Sequence, residues 1–506
     1  MQNSRGTFTY FYPIRKNEQT VKNGENQKKD YPRPGKRAII YKLNYAYRQK
    51  GERDMKRAFK YLGRTLASVL AVMMLSGCSG FKLSFSPQDL YCLPALPAKY
   101  TELNNRINEI LNSGAEYAAP TSGANIQSVQ LVDLNGDGRE EALAFFRNSN
   151  DEKPMKIYIF DAKGDTYEQV DLIEGSGTAI YSIDYKDLDG DGRKEIAVGW
   201  KAATELQVLE VYALGDNGAK MLLRTNYVRY TIQDMDRDQR QELLVLQSDE
   251  EGGIADYYGW QVDGSLTRQS SARLSVTMAE LSQQGRVTKG CLRDDVPAVF
   301  VTGVTELSGT VTDVLALRNG ELSNIVLSEQ TGVSKLVHPF CGLYPVDINN
   351  DGLTEVPSPA RLPTVSDEDA PAQRIDWLSY DEGGGGEVAL RTYHCVEDGW
   401  YLQMPESWTD HIYVTRSTSQ DESGVTFYTW EEGEVPAPFL RITAVTGANR
   451  EINAVRGDRF LLSRQAKTLY TAELLEGNDA WQYGVTADEV RAAFSLIQTE
   501  WIAGDN

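Results

Sequence analysis

The chain has 506 residues, of which 25% are charged and 41% hydrophobic, and carries a formal net charge of −20. That length allows two or three domains or one large repeat array. The charge is uneven, with 17 Lys/Arg against 5 Asp/Glu in residues 1–77 and 35 against 67 in 78–506, and a body so acidic excludes nucleic acid as a partner while suiting hard cations.

Residues 1–54 are basic and Tyr-rich, without apolar periodicity, and read as a dispensable leader. From Met55 the cationic residues Lys56, Arg57, Lys60 and Arg64 precede an apolar run from Thr65 to Leu75, the layout of a signal peptide over 55–77. The run is too short to span a bilayer stably. Signal peptides begin at the terminus, so translation is expected to start at Met55. Leu75-Ser76-Gly77-Cys78 resembles the bacterial lipobox. That resemblance implies an acylated Cys78 as the mature N-terminus, anchoring the protein to the outer face of the bacterial cell membrane or to the outer membrane.

Residues 78–125 read as an anchor linker followed by one amphipathic helix. Tyr100, Leu103, Ile107, Ile110 and Leu111 recur at helical spacing before Gly114, predicting a helix over 98–113.

Four segments then share one pattern of oxygen side chains at positions 1, 3, 5 and 9. They are Asp133, Asn135, Asp137 and Glu141; Asp187, Asp189, Asp191 and Glu195; Asp234, Asp236, Asp238 and Glu242; and Asp347, Asn349, Asp351 and Glu355. A tight loop turns such alternating side chains onto a hard cation that takes six or more oxygens at about 2.3–2.6 Å, and position 7 adds a backbone carbonyl. Those carbonyls belong to Arg139, Arg193, Arg240 and Leu353. Glycine at position 6 permits the sharp turn and is present as Gly138, Gly192 and Gly352. The third loop has Gln239 there and Arg237 at position 4, so the weakest or a distorted site is expected at Asp234–Glu242. Up to four Ca²⁺ sites follow from the pattern. An EF-hand would place its last carboxylate at position 12, between helices. Here each loop is flanked by strand patterns such as Ala142–Phe146, Ile196–Trp200 and Leu243–Leu246.

Loop starts are separated by 54, 47 and 113 residues. The last spacing is about double, and the strand pattern at 298–301 after Lys289–Pro297 marks a unit without ligands. Each unit continues into a hairpin, with turns at Asp263-Gly264 and Asn319-Gly320 among others. About five four-stranded units over 126–393 predict a mainly β, propeller-like array. The loops resemble the FG-GAP or VCBS repeat family, known from integrin α-chain propellers and bacterial surface proteins. The resemblance implies a calcium-stabilised β-propeller with the loop carboxylates as ligands.

Residues 394–506 read as a small α+β domain. Strand patterns lead to a final helix with Thr486 as N-cap, Glu489 closing a capping box, and Val490, Phe494, Ile497 and Trp501 on one face. Trp400, Trp408, Trp430, Trp481 and Trp501 suit a core better than a carbohydrate platform. With Cys78 acylated, Cys92, Cys291, Cys341 and Cys395 leave room for one or two disulfides. The scattered His338, His394 and His411 read as packing or surface residues.

No catalytic residue is assigned. The leading expectation is a non-enzymatic, lipid-anchored, calcium-binding surface module for a glycan or protein partner. Two alternatives stand beside it: a calcium-dependent polysaccharide hydrolase or lyase, since acidic pairs abound, and a structural envelope lipoprotein.

Overall fold

The computed structural model describes residues 98–498 apart from 165, 204–205, 216–217, 306–308 and 366–371. The expectations for the leader, the signal peptide, Cys78, Cys92 and Trp501 lie outside the described residues. The helix expected over 98–113 forms at Ala98–Asn112. Beyond it, six antiparallel sheets of four or five strands follow one another.

In the first sheet, Val129–Val132 pairs with Glu141–Arg147, which is followed by Met155–Lys163 and Thr166–Gly175. Glu116–Tyr117 extends the same edge by pairing with Arg147 and Phe146. Arg229–Gln233, Glu242–Asp249, Gly252–Trp260 and Leu266–Arg273 repeat this order in the third sheet. The second strand is buried almost end to end in the first, second and fourth sheets, at Glu141–Arg147, Glu195–Lys201 and Pro297–Val304. Such strands are covered on both faces, which is why they read as continuous apolar runs rather than alternations.

Each sheet packs on the next one in the chain. Phe145 and Ile157 meet Val198 and Trp200, and Leu209 and Val211 meet Leu243 and Val245. Leu244 and Leu246 meet Val299 and Val301, and Phe300 and Val314 meet Val356 and Tyr380. The outer face of the first sheet is covered by Leu103 and Ile107 of the helix, set against Phe146, Phe160 and Tyr167.

The fifth sheet consists of Val356–Arg361, Gln373–Tyr380, Gly386–Cys395 and Trp400–Met404, with Phe494–Leu496 added at its edge. It runs across residue 394, where a separate domain is expected. The sixth sheet, built from Ile412–Thr418, Glu422–Thr429, Pro438–Val445, Leu469–Leu474 and Phe460–Arg464, packs on it through Trp400, Leu402, Phe427 and Leu440. The count is therefore six sheets, one more than the spacing of the loops suggests. The sixth has no Asp-rich loop by which a repeat search would find it.

A β-bulge recurs in the third strand of sheets one, two and three, between Ile159 and Phe160, Val211 and Tyr212, and Tyr257 and Tyr258, and in Gln373–Tyr380, the second strand of sheet five, between Trp377 and Leu378. These are the four sheets with Asp-rich loops. The sixth sheet bulges between Phe427 and Tyr428. Bulges sharpen local twist, so neighbouring sheets are twisted alike where they stack.

The expected final helix is shorter. Thr486 and Glu489 form the capping box, but the helix stops at Ala493 and Phe494 turns to φ −84°, ψ 133°. The open edge of Trp400–Met404 captures the chain, pairing Phe494 with Leu402 and Leu496 with Trp400. Backbone pairing at that edge overrides the helical spacing.

Phe427 is fully buried between the fifth and sixth sheets. Phe427→Ala is expected to lower the stability of the protein by about 3–5 kcal/mol, the range for a large-to-small change in a core, measured by denaturant titration. A loss under 1 kcal/mol would mean the two sheets do not share this core.

Candidate metal centres

Each of the first three loops joins the first and second strands of its sheet, and the fourth lies between Val346, bridged to Glu355, and the strand Val356–Arg361. The position-1 aspartate organises the turn through two backbone bonds. Asp133 accepts from Gly136 N (2.8 Å) and Gly138 N (3.0 Å), and Asp187 from Gly190 N (2.8 Å) and Gly192 N (3.0 Å). Asp234 accepts from Arg237 N (2.7 Å) and Gln239 N (3.1 Å). Asp347 accepts from Asp351 N (3.1 Å) and Gly352 N (2.9 Å). Positions 4 and 6 are left-handed in every loop.

The third loop thereby departs from expectation. Arg237 (φ 66°) and Gln239 (φ 77°) adopt the backbone that glycine takes elsewhere, at a cost of about 1 kcal/mol each. The two bonds to Asp234 hold that conformation, and the Arg237 guanidinium reaches Asp294 O at 3.0 Å. The loop keeps its geometry without the turn glycines.

The position-9 glutamate closes each loop from below. Glu141, Glu195, Glu242 and Glu355 are all buried, and each accepts from the position-2 amide, at Leu134 (2.7 Å), Leu188 (2.8 Å), Met235 (2.8 Å) and Ile348 (3.2 Å). The position-2 side chains are buried apolar anchors. One oxygen of Glu355, Oε1, is buried without a hydrogen-bond partner.

Asp187, Asp189 and Glu195 bring carboxylate oxygens within 4.8 Å of one another, and so do Asp234, Asp236 and Glu242. These triads join positions 1, 3 and 9. The position-5 carboxylates Asp137, Asp191, Asp238 and Asp351 instead accept from the position-7 amides of Arg139, Arg193, Arg240 and Leu353 at 2.7–2.8 Å. Asn135 and Asn349 stand at position 3 of the other two loops, where Asn135 Nδ2 donates to Glu141 (3.0 Å) and Asn349 Nδ2 to Asp351 (2.8 Å).

Burial, reinforced by the neighbouring aspartates, pushes Glu195 up to about 7, Glu242 up to about 8 and Glu355 up to about 7. Burial also raises Glu141, Asp189 and Asp236. Asp137 is lowered by its hydrogen bond to the Arg139 guanidinium, an ion pair of 2.6 Å. An all-oxygen donor set, crowded carboxylates and an orphaned buried oxygen fit a hard divalent cation, which would stabilise the ionised forms.

The remaining candidate residues are structural. Cys291, Cys341 and Cys395 are free thiols, so no disulfide links these three. Cys291 and Cys395 end strands of different sheets. His394 lies against Tyr401 and Trp377, with ring centroids at 5.0 and 5.8 Å, and burial holds it down to about 3, a neutral imidazole. Trp400 and Trp408 are buried, and Trp481 packs on Phe439 at 4.6 Å, which makes these three indoles core.

A second set of acids recurs in the third strands of sheets two, three and four and in the second strand of sheet five. Glu210 accepts from Trp200 Nε1 and Tyr212 Oη (both 2.6 Å) and pairs with Arg224 (2.8 Å). Asp256 pairs with Arg268 (3.4 Å), Asp313 accepts from Asn324 Nδ2 (2.8 Å), and Asp376 pairs with Arg374 (3.0 Å). Each is a lone acid in an apolar stretch, as in Val208-Leu209-Glu210-Val211, a signal by which they are readable in sequence.

Residues 133–198 match the FG-GAP-like repeat, a stretch that begins at the first loop and ends in the strand after the second. No curated protein matches the chain. Among solved structures it is similar to a protein from Lactobacillus plantarum, at 11% identity, 64% of this chain, 86% of that one and a TM-score of 0.23. It is also similar to AofleA from Arthrobotrys oligospora, at 9%, 64%, 89% and 0.22. The rhamnogalacturonan lyase YesW is similar at 12%, 70%, 74% and 0.26. At such scores the account of the fold rests on the sheets themselves.

The raised carboxyls set a sign for pH dependence. A carboxyl whose folded pKa lies above its unfolded value contributes stability below the unfolded value of 4.5, and that contribution is lost as pH rises toward 7 and 8. In chelator the melting temperature is therefore expected to fall between about pH 5 and 8, and Glu242→Gln to flatten part of the fall. Saturating calcium, which favours the ionised form, is expected to remove it. Thermal denaturation at constant ionic strength decides, and a metal-free protein that grows more stable across this interval contradicts the assignment.

Proposed function

We propose that the chain is an exported, lipid-anchored, calcium-binding protein whose propeller-like array acts as a binding or adhesion module for a glycan or protein partner outside the cell. The observation that carries this reading is the fourfold recurrence of one loop, with a buried glutamate under an aspartate-centred turn. Calcium suits the donor set better than softer metals, because every donor is a carboxylate, amide or carbonyl oxygen.

In this reading the side chains at positions 1, 3, 5 and 9 hold the ion, with the carbonyls of Arg139, Arg193, Arg240 and Leu353. The ion neutralises carboxylates that otherwise repel one another, so metal binding stiffens the loops. The exposed side chains around them, such as Arg139, Arg193 and Arg240, then form a charged row held in place for a partner. Cys78 would tie the module to the membrane, in keeping with the lipobox resemblance and the acidic body.

Calcium is expected to raise the melting temperature of the full chain by several degrees over chelator. Asp189→Ala and Asp137→Ala should each reduce that shift, and an unchanged melting temperature in chelator would refute the metal assignment. Glycan-array binding that appears in calcium and is lost in chelator supports the binding role; its absence, with no protein captured from host surfaces, favours a structural envelope role.

Cys78→Ala is expected to abolish incorporation of labelled palmitate and to move the protein from the membrane to the soluble fraction. Retention of both would refute the anchor.

A further inference from the structure

The loops are joined to one another by a repeated pair of contacts. The position-8 amide of the second loop, Lys194 N, donates to the position-2 carbonyl of the first, Leu134 O, at 2.7 Å. Gln241 N of the third loop donates to Leu188 O of the second, also at 2.7 Å. Residues 134 and 188 are the ones whose amides bond the buried glutamates Glu141 and Glu195. Residues 194 and 241 immediately precede the glutamates Glu195 and Glu242. A continuous backbone relay thus runs from Glu141 through Leu134 and Lys194 to Glu195, and through Leu188 and Gln241 to Glu242.

The second contact joins position 4 of one loop to position 6 of the next. A Cβ on Gly136 would lie 2.5 Å from Gly192 O, and one on Gly190 3.7 Å from Gln239 O. Neighbouring loops are thus joined by one backbone hydrogen bond, and the first two pack so closely at a second point that only a glycine fits there.

The relay ends at the fourth sheet. Pro297 stands where the other sheets carry the glutamate, paired with Cys291, and Leu292 N donates to Val296 O at 2.8 Å instead of to a carboxylate. The fourth loop keeps the bond from its position-8 amide, Thr354 N to Cys291 O at 2.8 Å, but it reaches a turn without ligands.

We infer that the first three loops take up calcium as one coupled row, while the fourth loop, at Asp347–Glu355, binds independently. The inference rests on the calcium reading above and adds the order in which the sites communicate. Binding at one loop fixes its glutamate and, through the position-2 residue, the amide beside the next glutamate, so part of the ordering of the second site is done by the first.

Calorimetric titration of the full chain with calcium alone tests it. Asp191→Asn, in the second loop at the position that is aspartate in all four, is expected to weaken the surviving first and third sites roughly fivefold or more, the lower end of ordinary site-to-site coupling. Asp351→Asn, in the fourth loop, is expected to remove one site and leave the other affinities unchanged. Gly136→Ala keeps every oxygen ligand and should still weaken the second site, because its Cβ presses on Gly192 O. Surviving affinities unchanged in both Asp191→Asn and Gly136→Ala would overturn the coupling while leaving calcium binding intact. A wild-type stoichiometry of zero would overturn the calcium reading and the coupling together.

Discussion

The hydrogen bond between a buried glutamate and the amide seven residues before it is the constraint on which the rest of this structure depends. It is made by Glu141 to Leu134, Glu195 to Leu188, Glu242 to Met235 and Glu355 to Ile348. A carboxylate placed under a turn and away from water is unfavourable by itself. The amide compensates in part, and the neighbouring aspartates make the compensation incomplete. In the first three sheets the glutamate opens a largely buried strand, so the loop cannot move without disturbing the core, and the core fixes where the loop stands.

Around that constraint the sheets repeat more than their loops. The recurring bulge in the third strand and the acid one turn of the pleat away, as at Val211 and Glu210, tie each third strand to the fourth. The fourth sheet shows what changes when the loop is lost. It has no glutamate, its third and fourth strands pair without a register shift, and Asp294 and Asp295 take consecutive left-handed conformations to close a shorter turn. The sixth sheet bulges without any Asp-rich loop, so the bulge belongs to the sheets and not to the loops.

Much of this was legible before any coordinates. Oxygens at fixed spacing, strand runs on either side and the doubled interval before Asp347 located five of the sheets, and Asn319-Gly320 marked a hairpin whose two central residues are left-handed, φ 53° and 82°. The helix at Ala98–Asn112 followed from its periodicity. What was hidden depended on contacts between distant residues. Arg237 and Gln239 look like poor turn residues, and only the two bonds to Asp234 show why the loop survives them. Phe494 continues a helical stripe and leaves the helix because a strand edge 92 residues earlier, at Leu402, is open to it. The sixth sheet lacks the acidic punctuation, so its strand patterns within 394–506 read as part of a separate small domain rather than as a further unit of the array.

The two ends of the array are finished in different ways. At one, a helix lays Leu103 and Ile107 over the aromatic face of the first sheet. At the other, the sixth sheet turns Val425, Ile442 and Ala472 toward its neighbour, and by the alternation of the strands it turns Thr426, Arg441 and Thr443 the opposite way. Thr426, Thr443 and Thr471 are nonetheless buried, so this face, like the outer face of the first sheet, is covered within the chain, by a layer that includes hydroxyl groups rather than by apolar side chains alone.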